Sequence, residues 1–155
     1  MTSNVASGAA NSGQAERPSA LEMRYQPATP DEEYMCASQR DYFRRKLQLW
    51  REELLLEAQA TIDDMRSDAH FEVGDECDRA SRESSQALEL RTRDRHRKLL
   101  RKINQALLRI DSGDYGYCEV SGEPIGIARL DIRPVATLSV EEQEAREIEE
   151  RHRRG

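Results

Sequence analysis

Two runs of apolar residues at helical spacing, separated by one short break, constrain this chain more than any other feature. Phe43, Leu47, Trp50, Leu54, Ala58, Ile62 and Met65 recur every three or four positions and wind along one helix face for about seven turns. Leu49, Leu55 and Leu56 widen that face near its start. The period breaks between Asp68 and Gly74, where Phe71 and Val73 fall out of step and Gly74 permits a left-handed backbone. A second run, Ala80, Ala87, Leu88, Leu99, Ile103, Leu107 and Ile110, starts near Asp75 or Asp78 and is ended by Ser112, Gly113 and Gly116. Two helices of similar length around a short turn pack most simply as an antiparallel coiled-coil hairpin. An arm of about 33 residues, at ~1.5 Å per residue, reaches on the order of 50 Å. Periodicity alone equally allows an ordinary helical pair covered by a third helix.

Composition favours the elongated form. Of 155 residues, 37% are hydrophobic, 35% charged and only 5% aromatic, which is too polar for one large globular core but suits helices that each bury a stripe. A net charge of -6 argues against nonspecific DNA binding, since phosphate affinity needs clustered Lys and Arg. No apolar run approaches the ~20 residues needed to span a bilayer, and the N-terminus lacks the pattern of a signal peptide. A soluble, cytoplasmic protein is therefore expected. Cys36, Cys77 and Cys118, widely spaced and odd in number, fit reduced thiols better than a disulfide framework.

The expected organisation is a disordered segment over residues 1–30, a hairpin over 31–112 with its tip near 69–80, and a small C-terminal unit over 113–155. The first segment is rich in Ser, Ala, Gly, Asn and Pro and buries too little to offset its ordering entropy. Two helix starts compete: Thr29-Pro30-Asp31-Glu32 reads as a capping box with proline at the first helical position, and Ser38 with Asp41 as a later one. In the C-terminal unit, Tyr115, Tyr117, Val120, Ile125, Ile127, Leu130, Ile132, Val135 and Leu138 are expected to pack on the hairpin base near Trp50, Leu107 and Ile110. Ser139, with Glu142 at the capping-box position, starts a final helix that is acidic early and basic late, as the helix dipole favours.

Two charged stretches stand out. Asp75-Glu76-Cys77-Asp78-Arg79-Ala80 lies at the reversal, where Asp75 and Asp78 can share one side of the first helical turn. Helix-start carboxylates are favourable there whatever else they do. Cys77 between these acids should resist forming a thiolate. Between Leu90 and Leu99 lie Arg91, Thr92, Arg93, Asp94, Arg95, His96, Arg97 and Lys98, more than two turns without an apolar side chain. This shaft should be exposed and basic behind an acidic tip, a polarity that suits a partner with charged walls.

The Asp-x-x-Asp-x-Ala pattern with the arginine-rich run behind it resembles the DksA/TraR family of bacterial RNA polymerase-binding transcription factors, from about Glu33 to the C-terminus. The resemblance implies an all-α-dominated fold: a long coiled-coil hairpin, a small zinc-finger-like knuckle and a terminal helix. It implies that Asp75, Asp78 and Ala80 approach the polymerase active centre through the channel where nucleotides enter. It also implies that Arg91 and Arg95 contact the channel wall. Leu99, Lys102 and Arg133 match positions that, with the polymerase, bind the alarmone guanosine tetraphosphate; a further lysine of that site is Gln143 here. The family usually carries a four-cysteine zinc knuckle with the spacing Cys-x2-Cys-x17-Cys-x2-Cys. This chain keeps the spacing but has Cys118, Ser121, Ser139 and Glu142, and two serines cannot supply structural zinc ligands. His152 lies too far along the final helix to rebuild the set. No metal is expected, and packing should replace it.

The resulting expectation is a monomeric, non-enzymatic, zinc-independent regulator of promoter complexes acting with guanosine tetraphosphate, binding neither DNA sequence nor membrane. Two rivals remain at this level: a transcript-cleavage factor of similar shape whose tip acids hold a catalytic metal, and a coiled-coil adaptor. The Asp-x-x-Asp-x-Ala spacing disfavours the first. The apolar gap from Arg91 to Lys98 disfavours the self-association that the second requires.

Overall fold

The structure, a computed structural model, describes residues 19–68 and 76–155; for Met65, Ser67, Asp68, Glu76, Cys77 and Asp78 it describes the backbone only. Among the described residues four helices follow in order: α1 (Ala37–Asp68), α2 (Glu76–Ser112), α3 (Ile127–Ile132) and α4 (Val140–Arg154). At ~1.5 Å per residue the 32 residues of α1 and 37 of α2 extend about 48 and 55 Å. Arg44 pairs with Asp111, Arg51 reaches Asn104, and Glu57 faces His96. As α1 advances its partners on α2 recede, so the pair is an antiparallel hairpin.

Helix α2 ends as its glycine requires. Gly113 takes φ +87, its N–H meets the Ile110 carbonyl, and the Asp114 N–H reaches back to Arg109 at 3.0 Å, closing a Schellman motif. Gly116, at φ +92, is needed for a second reason: a Cβ there would lie 2.7 Å from Met35 Cε.

Among the described residues the core lies at the hairpin base. Phe43, Leu47 and Leu54 of α1 and Ile103, Ala106 and Ile110 of α2 are buried together with Tyr115, Cys118, Ile125, Leu130, Ala136 and Leu138. Past Leu54 the described arm buries no side chain, and Leu55, Leu56, Leu88 and Leu90 are exposed. The expected apolar seam therefore fades: Ala58 and Ile62 are half-buried, while Ala80, Ala87 and Leu88 face solvent. The run from Arg91 to Lys98 is also not solvated all round, because Thr92 and His96 turn inward and are half-buried. In the C-terminal unit Val120 and Ile132 are exposed rather than packed, at 69% and 74%.

The largest departure from expectation is upstream of α1. Residues 19–30 are not disordered but form a strap along the base; residues 1–18 lie outside the described residues. Ala20 is fully buried with its N–H on Glu53, and Tyr25 packs edge-on against Tyr42. The strap is tied by a buried polar cluster. Lys46 Nζ, fully buried, donates to the Met23 carbonyl at 2.8 Å, the Asp131 carbonyl at 2.6 Å and Asp131 Oδ1 at 2.9 Å. Tyr42 donates to the same oxygen, and the Tyr25 N–H to Asp131 Oδ2.

Neither expected helix start is used, since α1 begins at Ala37 with the Cys36 carbonyl accepting from the Arg40 N–H. Glu32, which would have closed the earlier capping box, instead takes the Ala28 N–H, the Tyr25 hydroxyl and the Gln39 amide and so braces the strap.

Burial pushes the Asp131 carboxyl up, but the Tyr42 hydroxyl, the Lys46 ammonium and the Tyr25 N–H together hold it below the ordinary carboxylate range. A carboxyl depressed in the folded state adds stability above its unfolded pKa and loses it as pH falls through the folded one. Asp131→Ala should lower the unfolding free energy by ~3–5 kcal/mol in urea titrations near neutral pH, because it strands the Lys46 ammonium. The deficit relative to the parent should shrink in acid.

Candidate functional site

Three places carry the residues singled out in the sequence: the tip, the shaft and the base. At the tip, Asp75 lies outside the described residues. Asp78 is the third residue of α2, described by its backbone alone, and Ala80 is exposed two residues further on. Cys77 likewise is described only by its backbone.

On the shaft, Arg91 and Arg95 are exposed. Arg95 lines a groove of about 460 Å³ with Thr92, His96, Lys98, Leu99 and Lys102, floored by Leu54 of α1. Within it His96 Nε2 stands 3.6 Å from Glu57, while its Nδ1 is buried without a hydrogen-bond partner. The shaft is thus basic on its outer faces and modestly polar on its inner one.

At the base a second cleft, about 710 Å³, opens between the end of α2, the segment after α3 and the start of α4. Lys102 lines both cavities, so Leu99, Lys102 and Arg133 belong to one continuous surface. Arg133, 31 positions from Lys102, arrives because α3 ends at Ile132 and the Ala136 N–H turns back onto the Arg133 carbonyl. Gln143 lines the same cleft. Sequence reasoning missed Arg109, Arg129 and Arg146, which also line it. Each reads in sequence as a solvated helical arginine, and only Arg146, one turn beyond Gln143, carried a usable signal.

Arg109 is the hinge of this region. It donates to the Tyr117 and Asp114 carbonyls at 2.7 and 3.1 Å and pairs with Glu119 at 3.3 Å, which pins the knuckle to the end of α2.

The chain matches the model described as "DnaK suppressor protein DksA, N-terminal domain" over residues 39–110, and the "Prokaryotic dksA/traR C4-type zinc finger" model over 113–147. It is 52% identical over 127 residues to the RNA polymerase-binding transcription factor DksA of Caulobacter vibrioides, covering 82% of this chain and 88% of that one. Identity to the Escherichia coli K12 protein of the same name is 43% over 126 residues, 81% and 83% of the two chains. The chain belongs to the DksA family. The solved structure of transcription factor DksA2 from Pseudomonas aeruginosa superposes with a TM-score of 0.73 at 44% identity, covering 81% of this chain and 95% of that one. The hairpin with its C-terminal finger-like unit is therefore the DksA fold.

The family's zinc finger is altered here in its donors. Cys118 is buried, and its thiol meets the Ser121 side chain and the backbone N–H groups of Val120, Ser121 and Ser139. Ser139 Oγ accepts the Glu142 N–H and caps α4, as its spacing predicts. That oxygen serves a helix start and Ser121 is exposed. One thiol, two hydroxyls and one carboxylate do not make a structural zinc set, so the residues present do not fit the metal. The knuckle keeps its shape through backbone bonds: Cys118 N–H to Glu123, Gly122 N–H to Cys118, and Ile125 N–H to Gly116. Tyr115, buried against Phe43, adds a bond from its hydroxyl to the Pro134 carbonyl.

Burial pushes the Cys118 thiol up, but the Ser121 hydroxyl and the surrounding N–H groups outweigh it and bring the pKa to about 7. A thiol depressed in the folded state contributes stability that is full above its unfolded value, ~8.5, and lost as pH falls through the folded one. Melting temperatures of the parent and Cys118→Ala should therefore diverge between about pH 7 and 9, the parent gaining, with little added difference below about pH 6.

Proposed function

We propose that this protein is a regulator that binds bacterial RNA polymerase and enters its secondary channel, changing the lifetime of promoter complexes. The observation that carries the reading is DksA-family membership over four-fifths of the chain, in relatives named for polymerase binding. The geometry supports it: a slender, polar arm on a compact base suits insertion into a narrow passage. In this reading Arg91 and Arg95 pair with acidic walls, for which the planar guanidinium is well shaped. Asp75, Asp78 and Ala80 act at the inserted end, near the catalytic centre, by electrostatics and occupancy rather than by catalysis. Leu99, Lys102 and Arg133 form, with the polymerase, an interfacial site for guanosine tetraphosphate. The protein works as a cytoplasmic monomer; among its described helices none is long and apolar enough to cross a membrane.

The tip tests the reading. Asp75→Asn with Asp78→Asn should leave polymerase affinity within about tenfold, or ~1.4 kcal/mol, while abolishing the effect on promoter-complex lifetime. Retained regulation would remove the tip from the mechanism, and loss of helical content would mean that the two carboxylates serve only the start of α2.

The knuckle is, in the same reading, metal-independent. Metal analysis of the purified protein should find well under one zinc per chain, with a melting temperature unmoved by chelator. In proteins that rely on structural zinc, removing the metal removes folding free energy.

A further inference from the structure

The base cleft holds more positive charge than its own structure uses. Among the described residues Glu119 is the one carboxylate on its lining, and Arg109 already pairs with it. Arg129 is committed as well, its Nε donating to the Leu138 carbonyl at 3.1 Å. Lys102, Arg133 and Arg146 remain, all exposed, and they come from three different segments: α2, the turn after α3, and α4. Among the described residues neither Lys102 nor Arg133 is recorded in an ion pair.

We propose that Arg146 is a phosphate-binding residue of this cleft and supplies the cation that Gln143 does not. The proposal rests on the reading of the cleft as the alarmone site. Gln143 and Arg146 are one turn apart on α4 and line the same cavity, so they present neighbouring positions to one ligand. The Gln143 amide carries no charge, and its Nε2 is drawn to Glu147 at 2.7 Å. Among the described residues Arg146 is held only by an exposed pair to Glu150 at 3.4 Å, one turn further on. Such exposed pairs are weak, and a diphosphate offers a stronger, bidentate partner to the same guanidinium.

Three cations from three segments suit a ligand with more than one phosphoryl group. A single carboxylate would satisfy one of them and leave the others repelling. The Arg146 guanidinium presents a planar, directional fork to phosphate oxygens, where lysine is a mobile point charge.

The test uses the full-length chain with its cognate RNA polymerase and follows promoter-complex lifetime against guanosine tetraphosphate concentration, with polymerase affinity measured separately without the alarmone. Arg146→Ala should raise the alarmone concentration for half effect at least about fivefold, a shift within the usual range of coupling between sites. Arg146→Lys should fall between, and adding Gln143→Lys to the Ala variant should bring the response back toward the parent's. That rescue is what a purely structural role for Arg146 would not produce. If the parent responds and Lys102→Ala weakens the response while Arg146→Ala does not, the proposal is overturned and the alarmone reading stands. If Arg146→Ala weakens polymerase binding with no change in alarmone dependence, the residue serves the polymerase interface and the proposal is likewise overturned. A parent that ignores the alarmone at every concentration removes the underlying reading itself.

Discussion

The ammonium of Lys46 is the point on which the base depends. It is fully buried and its three recorded short bonds, to the Met23 carbonyl and to the carbonyl and carboxylate of Asp131, match its three N–H donors. Burying a charge is costly unless it is paired and hydrogen-bonded on all sides. Here the pairing joins three stretches of chain at once: the strap, α1 and α3. The apolar core around Phe43 and Leu130 supplies most of the driving force for collapse. The Lys46–Asp131 cluster decides in which arrangement that collapse occurs, because any other would leave a charge unpaired.

The cluster bears on the finger-like unit. Where the matched family model describes a four-cysteine finger, this chain has a knuckle tied by backbone bonds, by Arg109 and by the buried Tyr115 ring. Asp131 lies within that unit and Lys46 outside it, so one ion pair anchors the knuckle's flank to the hairpin. The orientation of the Arg133 segment relative to α2, and with it the cleft, follows from these ties.

Much of the fold was legible because it rests on local periodicity. The two long helices followed from the spacing of Phe43 to Ile62 and Leu99 to Ile110, their exposed hairpin form from the charged run Arg91 to Lys98, and the cap at Ser139 from a four-residue pattern. The strap was not legible. Its ties join Tyr25 to Asp131, 106 positions away, and use backbone groups that composition cannot reveal. Lys46 was passed over because a lysine reads as solvent-facing, although it stands three residues after Phe43 and beside Leu47 on the core side of the helix. At the candidate site, Lys102 and Arg133 were reached through family likeness. Arg129 was not, since a surface arginine carries no sign of what it faces until the chain is folded, and Arg146 was missed although it stands one turn beyond Gln143. The polarity of the shaft was read correctly for its outer faces only; that Thr92 and His96 would turn inward depends on the rotation of α2 against α1.

The absence of buried side chains along the described arm beyond Leu54 divides the protein in a way that matters over evolutionary time. Stability resides in one set of residues and the surface offered by the arm in another. A substitution on the outer shaft removes little packing, so it is screened mainly by what the arm touches. Such a molecule can diversify its contacts rapidly without drifting toward unfolding, whereas a change at Lys46 or Asp131 is screened by folding before any partner is met.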